Sequence, residues 1–140
     1  MRFSNRIKYG LQFLVFLSTN NGIFTDIQKA SISCTIPYKF LEAIAVDLKK
    51  GGILKVKRGA GGGYQLNRHP EEILLSDIVR ALEKSGTRLH SGEQDILARV
   101  VKETLDEVTE GFWRLMQNIS LGNIQQKYLE NIDKNIMFYI

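Results

Sequence analysis

Lys49–Leu66 reads KKGGILKVKRGAGGGYQL, a helix stop, a short alternating strand, a cationic glycine-rich tip and a returning strand. Gly51 and Gly52 end a helix whose last turn carries Lys49 and Lys50, cations placed where the helix dipole is negative. Leu54 and Val56 alternate with Lys55 and Lys57, the period of a half-buried strand. Arg58 stands at the tip, and Gly59, Gly61, Gly62 and Gly63 follow, a backbone free to approach another surface closely. The hairpin presents positive charge on a narrow tip. A P-loop would need Gly-Lys-Ser/Thr where the chain has Gly63-Tyr64-Gln65, and a dinucleotide fingerprint counted from Gly59 would need glycine where Tyr64 stands. Both phosphate cradles fail. A ligand-free flexible hairpin stays open on composition alone.

What precedes the hairpin narrows the choice. Ile36–Leu48 (IPYKFLEAIAVDL) spaces Leu41, Ile44 and Leu48 on one face, with Pro37 suited to a first helical turn and Thr35 placed to cap it. Tyr38, Lys39, Glu42 and Ala43 look elsewhere, near the helix N-terminus, where the second helix of a helix-turn-helix touches bases. Thr25–Ser33 supplies a shorter supporting helix with Ile27, Ala30 and Ile32 as candidates to face inward. Asn5–Leu17 carries Ile7, Leu11, Leu14 and Leu17 in a helical stripe, with Ser4 or Asn5 as its cap. Three helices and a wing make a winged helix-turn-helix, mainly α with a small β-hairpin.

The succession RFSNRIKYGLQFLVFLS (2–18), IPYKFLEAI (36–44), LKKGGILKVKRGAGGGYQL (48–66) and HPEEILLSDIVRALEKSG (69–86) resembles the Rrf-type family of bacterial winged helix-turn-helix transcription regulators, whose members include IscR, NsrR and CymR. Residues 58–64 and 78–83 are the most diagnostic parts. The resemblance implies double-stranded DNA as partner and a homodimer, regulating transcription with a small-molecule or protein effector left unspecified. It places Lys39 and Glu42, with Tyr38 beside them, at the major groove, and Arg58 with Gly59 and Gly61 at the minor groove. Lys8, Lys55 and Lys57 are assigned to phosphates on charge alone. Many relatives hold an iron–sulfur cluster through three cysteines in the stretch matching Lys84–Glu107, and some add an acidic residue where this chain has Lys8. This chain has no cysteine in that stretch, so no cofactor is expected.

Charge points the same way independently. Through His69 there are eleven Lys and Arg against Asp26, Glu42 and Asp47, a net of +8; from Pro70 onward the balance is −4. The first half attracts polyanions and the second does not.

Gly86–Gly92 reads as a linker dividing a reading domain (1–85) from an assembly region (86–140). Ser91 with Gln94 fits a capping box for a helix running to about Ile119. Val101, Leu105, Val108, Phe112, Leu115 and Ile119 form a heptad seam, best covered by the same helix of a second chain. The competing reading packs it on the chain's own tail helix, about Leu121–Asn131 after a Ser120 cap, with Ile124 and Tyr128 inward. The apolar end, Ile136–Ile140, is a candidate to dock, across a dimer or within the chain.

Length and composition bound the rest. At 140 residues and 44% hydrophobic, the chain can bury one good core. No run of about 18 apolar residues would span a membrane and no signal-peptide pattern is present, so a cytoplasmic location is expected. Cys34 is the single cysteine, read either as a small packing residue or as a thiol activated by Lys29 and Lys39. His69 and His90 have no ligand partners at metal spacing. No paired carboxylates or Cys/His couple point to an enzyme. A module whose winged domain binds a partner protein instead of DNA is the alternative function.

Overall fold

The computed structural model describes residues 2–20, 22–83 and 95–138. Helix α1 (Asn5–Ser18) starts at Ser4, whose hydroxyl accepts from the Ile7 amide, and buries Ile7, Phe13, Leu14, Val15 and Leu17. Its Leu11 is half-buried. Helix α2 (Ile27–Cys34) is capped by Asp26, which accepts from the Gln28 amide at 2.7 Å. Ala30 is fully buried, whereas Ile32 is 74% exposed, so the inward face of this short helix ends at Ala30.

Thr35 closes α2 and does not cap the next helix: it takes the left-handed conformation (φ 55°, ψ 46°), which turns the chain sharply into the buried Ile36. Helix α3 (Tyr38–Lys50) then begins one residue after Pro37, which sits at the cap position and not within the first turn. The expected apolar face is in place, with Leu41, Ile44 and Leu48 fully buried and Ala45 beside them. Gly52 (φ +76°) ends α3 in the conformation that glycine adopts without steric cost.

Strands β1 (Leu54–Lys57) and β2 (Gly63–Leu66) pair antiparallel, Leu54 opposite Leu66 and Lys57 opposite Gly63. On its other edge β2 exchanges two backbone bonds with Thr25, of 2.9 and 2.8 Å between its Tyr64 and that residue. The wing is thereby tied to the start of the supporting helix. A 3-10 turn (Pro70–Glu72) leads into α4 (Leu75–Leu82), which buries Ile78, Val79 and Leu82 against α1 and α3.

Helix α5 (Ile96–Gln117) opens on Asp95, which accepts from the Leu97 amide; the capping pair expected at Ser91 and Gln94 lies outside the described residues. Lys102–Asp106 (2.6 Å) is the shortest of its three exposed (i, i+4) ion pairs. Helix α6 (Leu121–Phe138) is longer than its sequence pattern implied. Its start is a reciprocal cap: the Asn123 amide donates to the Ser120 hydroxyl, and the Ser120 amide to the Asn123 side chain. Ile124 packs against the core, but Tyr128 is largely exposed, because α6 leans on α1 and the 3-10 turn only along its first turns.

Met116 and Leu121 belong to the same core as Ile73 and Ile78. Two backbone bonds of 2.8 Å, Leu75 amide to Ile119 carbonyl and Leu121 amide to Ile73 carbonyl, stitch the α5–α6 elbow to the start of α4. The fold is a winged helix-turn-helix carrying a long helix.

Candidate nucleic-acid interface

The leading edge of α3 is turned to solvent. Tyr38, Lys39, Glu42 and Ala43 are exposed, backed by the buried Leu41, Ile44 and Leu48. Tyr38 and Glu42 lie one turn apart. The Glu42 charge pushes the Tyr38 phenol above its ordinary value, with smaller contributions from desolvation and from the hydrogen bond between them. The phenol and the Glu42 carboxylate are thus paired as donor and acceptor on one helix.

Beside this edge a shallow groove is lined by Lys39, Glu42, Ala43, Val46 and Lys50 from α3 and by Arg6 from α1. Arg6 does something other than wait for a ligand. Its guanidinium forms an ion pair with Asp47 and donates through Nε to the Leu82 carbonyl at 3.3 Å, joining α1, α3 and the end of α4. Asp47 is largely buried on the inner side of α3, where a lone carboxylate would be costly and a paired one orients the helix. The sequence pattern did not reveal this pair. An aspartate among Leu, Ile and Ala residues carries no mark of a partner 41 positions away. Tyr9 adds a second brace from α1, meeting the Phe40 ring edge-on at 5.8 Å.

The hairpin tip carries Arg58, exposed and held by no ion pair among the described residues. Gly59 (φ +92°) and Gly61 (φ +71°) turn the chain there. Lys55 and Lys57, two residues apart on one face of β1, both set their ammonium groups near the Phe24 ring, at 6.0 and 5.9 Å from its centre. The ring holds two cations on one side of the wing. A cleft lined by Phe24, Thr25, Asp26, Lys29 and residues 59–62 separates the tip from the start of α2 and adds Lys29 to the cationic surface. Lys8 is exposed on α1. Arg68 is engaged internally, 3.6 Å from Asp77. The arrangement offers a fixed helix edge with donors and an acceptor, and a positively charged wing bonded to the same body. Such a surface fits base edges in a groove and flanking phosphates.

Along α5 the seam residues separate into two groups. Val101, Leu105, Val108 and Leu115 are 51–60% exposed, while Phe112 is half-buried, as is Ile119, which lies in the elbow beyond the end of α5 at Gln117 and not on the expected helix. Phe112 stacks on Phe3 with ring centres 5.8 Å apart. The chain's own tail helix does not cover the exposed group, so packing within the chain leaves this stripe in water. Ile136 and Met137 are exposed as well; the two residues that follow Phe138 lie outside the described set.

Cys34 is half-buried, and burial pushes its thiol above the ordinary value. That direction is opposite to the activation by Lys29 and Lys39 expected of a reactive thiol. Among the described residues no three His, Cys, Asp or Glu side chains converge to hold a metal ion, and no helix is long and apolar enough to cross a membrane.

Comparison with known proteins agrees with this geometry. The Rrf2 family model, described as an iron-dependent transcriptional regulator, matches residues 3–134. The HTH-type transcriptional regulator CymR of Bacillus subtilis strain 168 is 29% identical over 141 positions, spanning all of both chains. The HTH-type transcriptional regulator IscR of Cereibacter sphaeroides is 27% identical, over 98% of this chain and 90% of IscR. The solved structure of T. potens IscR superposes with a TM-score of 0.72 at 26% identity, covering 91% of this chain and 88% of that one.

Proposed function

This chain belongs to the Rrf2 family of transcriptional regulators, and from that premise we propose that it is a cytoplasmic homodimer that reads a specific duplex sequence without an iron–sulfur cluster. The relatives are DNA-binding regulators and not enzymes. The observation that carries the reading is the exposed edge Tyr38-Lys39-Glu42 on a helix braced from behind by Arg6 and Asp47, with a cationic wing on the same body. In this reading Tyr38, Lys39 and Glu42 contact bases in the major groove, Arg58 with Gly59 and Gly61 enters the minor groove, and Lys8, Lys55 and Lys57 hold phosphates. Residues 1–85 form the reading unit and 86–140 the assembly unit, paired through the exposed positions of α5.

Selection of bound sequences from a random duplex pool tests this directly. A palindromic motif with two half-sites is the expected product, because a two-fold protein reads a two-fold site. Recovery of no motif, with retention of a partner protein instead, would favour the protein-binding alternative.

The wing separates two kinds of contact. Arg58→Ala is expected to cost roughly 1–3 kcal/mol of binding and to relax preference at the outer positions of the site, as for an arginine in a narrow A·T-rich minor groove. Lys57→Ala is expected to weaken all sequences about equally and to reduce the salt slope by roughly one unit. Binding measured across a salt series on two duplexes distinguishes them. Unchanged affinity and preference in Arg58→Ala would remove the wing from the interface.

The family description names iron, and a cysteine-ligated cluster requires several thiolates or equivalent ligands. Cys34 is the one cysteine of the chain, half-buried with a raised pKa, so the donor set does not fit such a cluster. Anaerobic reconstitution with iron and sulfide is expected to leave the protein colourless. Stoichiometric iron and acid-labile sulfide with visible absorption would contradict this.

A further inference from the structure

Where α5 crosses α4 and the N-terminal segment, the protein forms a partly open pocket of about 150 Å³. Three aromatic rings, Phe3, Phe112 and Trp113, line it together with the aliphatic Val79 and Met116. Its polar lining comes from Arg2, Glu83 and Thr109. The rings are held in place before any ligand arrives. Phe3 stacks on Phe112 with planes 25° apart, and the Arg80 guanidinium lies 5.0 Å from the Trp113 ring centre. An apolar cavity on the order of 150 Å³ is the size that accepts one benzene ring. A guanidinium on the wall of such a site is suited to a carboxylate, which its planar fork can bind through two hydrogen bonds.

We propose that this cavity binds a single-ring aromatic carboxylate, the ring among Phe3, Phe112 and Trp113 and the carboxylate on Arg2. Its walls come from both sides of the α4–α5 contact, so the occupant fixes how α5 is seated on the reading unit. Occupancy thus sets the affinity of the paired reading units for DNA. That last consequence rests on the regulator reading above; ligand binding itself does not.

Trp113 is the single tryptophan of the chain, which makes its emission a reporter placed in the cavity wall. Titration of the intact protein with benzoate is expected to change that emission saturably, with half-saturation at roughly 0.1–1 mM. Arg2→Ala is expected to weaken the response about tenfold, and Glu83→Gln, which removes a like charge, to strengthen it. Thr109→Phe fills the pocket from a helix position that is exposed and whose hydroxyl, among the described residues, bonds to the Leu105 carbonyl of its own helix, so it is expected to fold and to abolish the response. No saturable change up to about 10 mM, or a response that survives Thr109→Phe, overturns the site. Equal binding of toluene and benzoate overturns the carboxylate assignment. A saturable emission change with no shift in DNA affinity overturns the regulatory consequence and leaves the binding site standing.

Discussion

A Val108→Asp chain is expected to sediment as a monomer and to bind a two-half-site duplex about 100-fold or more weakly than the parent, the advantage lost when two linked contacts become one. Val108 is 60% exposed in the single chain, so the carboxylate meets water when the chain is alone and would meet an apolar stripe in the proposed dimer. The substitution therefore acts on assembly and spares the fold, and an unchanged melting transition at low protein concentration checks that separation. Phe112 is a poorer position for this test. Its ring stacks on Phe3 and lines the pocket beside α4, so Phe112→Asp would disturb the fold of the single chain as well. A Val108→Asp protein that stays dimeric would move the interface away from the exposed α5 stripe.

The second large effect lies in the backbone of the wing. Gly63→Ala is expected to destabilise the protein by about 3 kcal/mol or more, read as a fall in denaturant midpoint or melting temperature. Two causes add. Gly63 has φ +145°, a conformation that side chains rarely adopt, and a methyl there would overlap the Thr25 carbonyl and sit 2.7 Å from the Asp26 amide nitrogen. Both neighbours are backbone atoms held by the Thr25–Tyr64 pairing, so neither can move aside cheaply. Gly59→Ala is the contrasting case. Its φ of +92° is also unfavourable, but nothing lies within 4 Å of the added methyl, so about 1 kcal/mol of backbone strain is expected. Equal losses in the two variants would show that conformational strain alone governs the wing glycines.

Local pattern made much of this fold legible. The spacing of Leu41, Ile44 and Leu48 identified the buried face of α3, and the alternation of Leu54 and Val56 with lysines identified β1. Ser4 and Ser120 were readable as caps because capping is decided within three residues. The exposure of Tyr38, Lys39, Glu42 and Arg58 followed from the same periodicities.

What the pattern missed depends on distant partners. Asp47 with Arg6, and Thr25 with Tyr64, join positions that no window of sequence contains together. A threonine two residues before a proline is a good cap signal, but at Thr35 the tight passage into buried Ile36 sets a left-handed conformation instead. A heptad pattern states which residues share a face but not what covers them. Val108 and Phe112 look equivalent in sequence, yet one is open to water and the other is half-buried beneath Phe3. The aromatic cavity was invisible for the same reason, since its walls come from three separated segments.

The elbow stitched to α4 also imposes a timetable on synthesis. The core around Ile73 and Ile78 is incomplete until Met116 and Leu121 have been made. At ribosomal rates of about 5–20 residues per second, the interval between the end of α4 and Leu121 is roughly two to eight seconds. Through that interval the apolar face around Ile73 and Ile78 has no partner to close it. The reading head closes only after the whole of α5 has been translated.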